Sequence, residues 1–408
     1  MQALQIIRTA ENKLTDKFSQ LEETAYINQL KVLEAFQKYR VREYHFHPST
    51  GYGYDDAGRA VLEDIYAQVF SAEASIVRSQ IVSGTHAIAA CLFGLLKPDD
   101  ELLSLSGRPY DTLAGIITDL PGSLISKKIR YKEIDLDSEG KPDLNKIIES
   151  VSSRTSMVLI QRSRGYSERP ALTVEEIKTL SKTVKEINSR VIVFVDNCYG
   201  EFVQEKEPLE AGADLIAGSL IKNPGGGLAP AGGYICGRRD LVEQIAWYLT
   251  APGLGKELGA VLINKRWFYQ GLFMAPHTVL QALKGATLLA YLLEQYGYNV
   301  SPLWNEKRGD IVQAVKFTGA EEVIRFCQIV QDSSPVDSDV KLEYGELPGY
   351  TDKIVMAAGT FVQGSSIELS CDAPMRRPYC AYLQGGLTYE HVRYVTAQIL
   401  KLIGDKQI

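Results

Sequence analysis

Lys222 stands where the apolar pair Leu220-Ile221 gives way to Asn223-Pro224 and three consecutive glycines, Gly225-Gly226-Gly227. Most lysines are solvated loop residues, but one drawn partly out of water at a strand end can shed its proton and attack a carbonyl carbon. Asp196 closes the apolar run Val191-Ile192-Val193-Phe194-Val195, 26 residues before Lys222 (222 − 196). An acid there is commonly a turn or cap residue. The separation is nonetheless room for one strand–connection–strand step, which would put both side chains at the ends of neighbouring strands.

An acid opposite a lysine-bound aldehyde is what pyridoxal 5′-phosphate (PLP) requires. The acid keeps the pyridine nitrogen protonated, so the ring draws electrons, while the lysine forms the Schiff base and later moves the α-proton. The cofactor's phosphate needs a cradle. Ser83-Gly84-Thr85 runs straight into a helical segment. Open N–H groups at a helix start suit a dianion, although the same string is also an ordinary N-cap. Ser219, three positions before Lys222, adds a hydroxyl. The glycine run follows the lysine, so the nucleotide loop Gly-x-x-x-x-Gly-Lys-Ser/Thr is not matched.

The elements that must position these residues are legible as changes of period. Residues 3–39 read as a helix, and Pro48, Gly51 and Gly53 then break it into a structured loop. Beyond residue 57, helical stretches (57–70, 87–96, 174–187) alternate with short apolar runs (74–82, 101–105, 156–160, 191–195, 213–217). Such runs between helices predict a parallel sheet buried on both faces, with its ligand beyond the carboxyl ends of the strands. A smaller C-terminal unit is expected to hold a helix over 278–296, strands over 309–316 and 367–370, and a closing helix over 389–402. The division expected is an arm over 1–50, a large PLP-binding domain over 51–275 and a small domain over 276–408.

Composition narrows the function. The chain has 408 residues, 45% of them hydrophobic, and a net charge of −6. That suits a globular protein of two domains and offers no basic footprint for nucleic acid. The short basic stretch at 127–130 reads as solvated surface. The six cysteines are scattered without Cys-x-x-Cys spacing, so neither a disulfide scaffold nor a metal site is expected. The first residues lack the apolar core of a signal peptide, and no run of about 18 apolar residues occurs. A cytoplasmic enzyme without membrane contact is the resulting expectation.

The order Ser-Gly-Thr then helix, Tyr110, Val195-Asp196-Asn197 and Ser219-x-x-Lys222 resembles fold-type I (aspartate aminotransferase-like) PLP enzymes. More narrowly it resembles the cystathionine γ-synthase/methionine γ-lyase group. The matching branch is the one labelled "aluminium resistance protein" or cystathionine β-lyase-like. Its markers are Ser49-Thr50-Gly51-Tyr52-Gly53-Tyr54-Asp55-Asp56-Ala57-Gly58-Arg59, then Gly107-Arg108-Pro109-Tyr110-Asp111-Thr112-Leu113, then the glycine-rich string from Lys222 to Gly233. The resemblance covers nearly the whole chain.

It implies an α/β fold with a large, mostly parallel seven-stranded sheet, a smaller α+β domain, and a dimer or tetramer that shares its active sites. It also implies that Lys222 carries PLP, that Asp196 holds the pyridine nitrogen, and that Ser83, Gly84, Thr85 and Ser219 hold the phosphate. Tyr110 would stack on the ring, with His86 as a rival. Tyr54 and Arg59 correspond to a pair that reaches the neighbouring subunit's phosphate, but lie farther apart than the family's Tyr-x-Arg. Arg376, in preference to Arg377, would bind the substrate carboxylate, although Glu368-Leu369-Ser370 replaces the family's Arg-Leu-Ser. Arg162 and Arg164 follow a strand end and could face the cofactor. The activity implied is carbon–sulfur cleavage. Transamination or aldol chemistry on the same fold, and a weakly catalytic protein acting by binding or in metal tolerance, are the alternatives.

Overall fold

Apart from the polar edge strand Arg130–Glu133, the larger sheet is buried on both faces because its strands have no polar side. The structure, a computed structural model, describes residues 2–118, 120–346 and 349–405. Strands β1 (Ala74–Arg78), β2 (Glu101–Ser104), β3 (Arg130–Glu133), β4 (Thr155–Gln161), β5 (Ile192–Asp196), β6 (Leu215–Ser219) and β7 (Gly233–Gly237) lie in the order β1-β7-β6-β5-β4-β2-β3. β7 runs antiparallel to both neighbours, and the other pairs are parallel. This is the large, mostly parallel seven-stranded sheet expected.

Side chains on β5 alternate between two cores. Val193 and Val195 join Leu62, Ile177, Leu180 and Leu272 on one face, while Phe194 joins Ile88, Leu92, Leu241 and Ile245 on the other. Among the helices supplying these faces are α3 (Ala57–Val69), α4 (Gly84–Leu95), α5 (Asp111–Ile117), α6 (Leu144–Ser150), α7 (Val174–Ile187) and α8 (Arg239–Leu249). Each fully buried Leu or Val contributes about 1.5–3 kcal/mol. The polar punctuation falls where the sheet rule places it: Gln161, Asp196 and Ser219 end the adjacent parallel strands β4, β5 and β6.

At the amino end, one helix over 3–39 was expected and two are present, α1 (Gln2–Lys13) and α2 (Thr15–Lys38). Leu14 at the break is fully buried with Ile7 and Ala10 against Leu288 and Leu400. Glu11 binds Arg393 (2.6 Å) and Tyr389 (2.8 Å). These tertiary contacts turn the chain where its local propensity would continue.

The boundary expected at 275/276 falls inside a continuous helix. Residues on both sides belong to α9 (Arg266–Gln295), which carries Pro276 in its interior. Proline there costs about 3 kcal/mol, but Ala275, Pro276 and Val279 are buried. The glycine loop packs directly against this helix. A Cβ on Gly226 would come within 2.4 Å of the Gly271 carbonyl, and one on Gly271 within 2.4 Å of the Gly225 carbonyl. The glycine run thus serves a close backbone contact.

The smaller sheet joins β8 (Asn299–Ser301), β9 (Gln313–Lys316), β10 (Ile354–Ala357), β11 (Ser370–Pro374) and β12 (Cys380–Gln384), all antiparallel, in the order β10-β11-β12-β9-β8. Helices α10 (Ala320–Asp332) and α11 (Tyr389–Asp405) cover it. The expected strand over 367–370 starts instead at Ser370. Before it, the Glu368 carboxylate accepts the N–H groups of Phe361 (2.8 Å) and Val362 (2.9 Å). A side chain there satisfies backbone that a strand would have paired, while Ile367 and Leu369 remain buried.

Candidate active site

The carboxyl ends of β4, β5 and β6, the start of α4 and the facing edge of β11 enclose a cavity of about 290 Å³. Ser83, Gly84, Thr85, Tyr110, Asp196, Ser219 and Lys222 all line it. Residues far apart in the chain therefore meet in one hollow. Asp196 and Ser219 are buried, at 3% and 2% exposure. No salt bridge of 4.0 Å or less joins Lys222 to Asp196 among the described residues, although each feels the other's charge. Lys222 Nζ instead lies over the Tyr199 ring, 3.9 Å from its centroid.

The acid is fixed from behind. Asp196 Oδ1 accepts the Cys198 N–H at 3.1 Å. Burial raises its pKa, while Lys222 and the Cys198 hydrogen bonds pull it back. For Lys222, burial favours the neutral amine, yet the surrounding Cys198, Tyr199 and Asp196 more than offset this and raise its pKa. The sequence suggested that desolvation would free this amine. In the folded protein the groups around it, Cys198 and Tyr199 before Asp196, act the other way and favour the ammonium form.

Ser83 caps α4, its Oγ accepting the His86 N–H at 3.0 Å. First-turn N–H groups have no intrahelical acceptor, and Gly84 and Thr85 in that turn line the cavity. Gly84 is pressed close to the far wall: a Cβ there would stand 3.1 Å from Cys198 Sγ and 3.2 Å from Ser219 Cβ. An open helix start, a serine hydroxyl and an unpaired lysine and aspartate across one cavity suit an aromatic aldehyde with a phosphate arm. Thr85 Oγ1 lies 3.0 Å from Tyr110 OH, and the Tyr110 N–H donates to Gln161 Oε1 at 3.0 Å. Burial and the Asp196 charge push the Tyr110 phenol well up, so it stays protonated. His86 does not line this cavity. It borders a separate hollow with Arg78, Gln80 and Leu249.

The chain is similar to known proteins over almost its whole length. The family model for methionine gamma-lyase matches residues 3–404. The chain belongs to the methionine gamma-lyase family. A Bacillus subtilis protein of uncharacterised function, YnbB, is 50% identical over 95% of this chain and 93% of its own. A Listeria monocytogenes structure, provisionally named a cystathionine beta-lyase involved in aluminium resistance, superposes with a TM-score of 0.95 at 50% identity, covering 99% of this chain and 100% of that one. A Clostridium novyi structure named a carbon-sulfur lyase involved in aluminium resistance gives 0.92 at 47% identity, over 97% and 95%. The protein is a fold-type I, PLP-dependent carbon–sulfur lyase.

Within this lyase the expected arginines lie elsewhere. Arg376 does not line the cavity; β11 ends at Pro374, and Arg376 turns outward to Asp352 (2.6 Å) and the Tyr166 carbonyl (3.2 Å). Arg377 is exposed. Arg162 runs away from the cavity, fully buried beneath Gly200, with Nη1 on Asn197 Oδ1 (2.8 Å) and Glu207 (3.3 Å). Arg164 binds Ser301. Arg59 is buried and donates to the carbonyls of Gly53, Gly259 and Glu257, and Tyr54 is exposed. Neither lines this chain's own cavity. Among the described residues, Lys222 is the one cationic side chain that does.

Several lining residues escaped the sequence reading. Gln161 ends β4 as Asp196 ends β5, so the same strand-end signal pointed to it. Tyr199 holds a left-handed backbone (φ +70°) unusual for a non-glycine residue, a strain that favours a fixed ring position. Asp372 carried no signal. It projects from β11, its Oδ2 accepting Tyr166 OH (2.9 Å) and Gln384 Nε2 (3.0 Å), and burial raises its pKa to about 6.

Proposed function

We propose that this lyase acts on a sulfur amino acid of the cystathionine, methionine or cysteine type, by α-proton removal followed by β- or γ-elimination of the thiol. The observation that carries the proposal is the convergence of Lys222, Asp196, Ser219 and the Ser83-Gly84-Thr85 turn on one cavity. PLP, when bound, supplies an electron sink for the electron pair left by the departing α-proton. Lys222 would hold the cofactor and, once displaced by the substrate amine, take the proton at its Nζ. Asp196 would hold a proton on the ring nitrogen, and its burial excludes competing water. The N–H groups of Gly84 and Thr85, with the hydroxyls of Ser83 and Ser219, would bind the phosphate. Tyr110, held by Gln161 and kept protonated, would face the ring as a packing surface and hydrogen-bond donor.

A homodimer or homotetramer with shared sites belongs to the same proposal. Tyr52, Tyr54 and Leu262 are exposed at 71%, 61% and 74%, on two loops joined by the hydrogen bond Gly259 N to Tyr52 O. An apolar patch of this kind suits a subunit contact, and it would carry Tyr54 toward a neighbour's site, with Arg59 bracing the two loops from within through the Gly53, Gly259 and Glu257 carbonyls.

The test offers cystathionine, methionine and cysteine to the purified PLP-loaded protein and measures thiol, ammonia, pyruvate and 2-oxobutyrate. Thiol release with one of the 2-oxo acids is expected. Lys222→Ala should lose the visible absorbance of the lysine-bound cofactor, with turnover down by about 10²–10⁴-fold or more. Amino transfer to an added oxo acid without thiol release would overturn the reading.

A further inference from the structure

A second cavity, of about 370 Å³, lies where α2, the start of α7, the 203–206 loop and the 302–309 loop meet. It shares no lining residue with the cavity around Lys222. Arg308, 5% exposed, lines it. Its Nη2 donates to Gln313 Oε1 at 2.6 Å, while Nε and Nη1, both shielded from solvent, have no hydrogen-bond partner among the described residues. No carboxylate pairs with this guanidinium within 4.0 Å among the described residues. The neighbouring Asp310 is committed to Ser163 Oγ (2.7 Å) and the N–H groups of Arg164 (3.3 Å) and Val312 (3.0 Å).

Lys17 reaches the same cavity from α2. Its Nζ donates to the carbonyls of Asn305 (3.3 Å) and Glu306 (3.1 Å) and pairs with no carboxylate within 4.0 Å among the described residues. Burial and the charge of Arg308 both lower its pKa, so two cations confront each other across a partly desolvated space. The acids that line the cavity form no ion pair with them within 4.0 Å among the described residues, although Asp310 and Glu306 favour the Arg308 charge from farther off. Glu175 pairs with Lys307 at 3.0 Å, Glu306 accepts the Leu303 N–H at 2.7 Å, and Glu205 sits at the exposed rim beside Lys206. Buried N–H groups of an ionised guanidinium are costly to leave unmade. The charges of Arg164 and Lys17 add to that cost, and those of Asp310 and Glu306 offset part of it from beyond ion-pair distance.

We propose that this cavity is a binding site for an oxyanion, the carboxylate or phosphate group of a small ligand, held between Arg308 and Lys17. The site is separate from the catalytic cavity and independent of which substrate the lyase cleaves.

The experiment uses PLP-loaded protein, so that the cofactor's own phosphate site is filled. Titration calorimetry with inorganic phosphate and with succinate, at constant ionic strength set by sodium chloride, measures saturable binding. One anion per chain is expected, and the responding probe identifies phosphate or carboxylate as the source. Lys17→Met, with unchanged PLP absorbance, should weaken binding about tenfold through loss of one charge-assisted contact. Arg308→Gln should abolish it; if that variant does not fold, Lys17→Met decides. No saturation by either anion beyond chloride, or equal affinity in wild type and Lys17→Met, overturns the proposal.

Discussion

Glu207 lies behind the active-site wall, and its charge is predicted to hold the end of β5 in place. Its carboxylate receives Arg162 Nη1 at 3.3 Å, Asn197 Nδ2 at 3.1 Å and the Phe202 N–H at 2.8 Å. Arg162 and Glu207 are 0% and 2% exposed. At 3.3 Å and an effective dielectric of about 20 their attraction is about 5 kcal/mol. Glu207→Gln removes that attraction with almost no change of volume, and the guanidinium stays desolvated because it cannot give up its proton. Breaking a buried pair in this way costs about 3–5 kcal/mol. The reverse variant, Arg162→Met, should cost less, because a stranded carboxyl can take up a proton. Burial already raises the pKa of Glu207 while Arg162 holds it down.

The sign of the pH effect follows. In Arg162→Met the native carboxyl has a raised pKa, so stability is full below the unfolded value and is lost as pH rises through the folded one. Urea unfolding of both single variants and the double variant, at acidic and neutral pH, closes the cycle. The double variant should recover most of the Glu207→Gln loss. Because Asn197 adjoins Asp196, Glu207→Gln should also weaken PLP binding, read by absorbance titration. A Glu207→Gln cost under about 1 kcal/mol, or a double variant no better than that single one, would refute the reasoning.

Two further outcomes are expected. The pKa of Asp372, raised from 3.8 to about 6 by burial, means that stability is lost as pH rises through that range. That difference amounts to about 3 kcal/mol in full, of which about 1.4 kcal/mol falls between pH 5 and 7.5. Asp372→Asn should remove that slope in urea midpoints, and an unchanged slope would count against a buried carboxyl there. Gly84→Ala should weaken PLP binding about tenfold, since the new Cβ presses on Cys198 and Ser219 where the phosphate is proposed to sit. The PLP-free fold should lose under about 1 kcal/mol, as alanine is the better helix former. Unchanged affinity by equilibrium dialysis would remove Gly84 from the phosphate site.

The sequence alone determined five of the seven strands of the larger sheet and one wall of the site; β3 and β7 were not marked by it. Period and apolar runs mark strands whose side chains have no polar face, and a chain that leaves such a strand must place its polar residues at the end, as Asp196 and Ser219 do. Local chemistry also marks Ser83 as a cap and Lys222 as a lysine entering a tight turn. Tertiary structure decided what depends on contacts distant in sequence. Whether Pro276 breaks a helix is settled by the surface packed on both sides of it, and whether the arm bends at Leu14 by the pocket that receives that leucine. The arginines show the same limit. A guanidinium is long enough to point either way from a strand end, and buried partners such as Glu207 for Arg162 turn it from the cavity while Asp352 draws Arg376 outward. Asp372 enters the site for the complementary reason. It becomes a lining residue only because the second sheet folds back against the first, a juxtaposition that no local pattern of residues encodes.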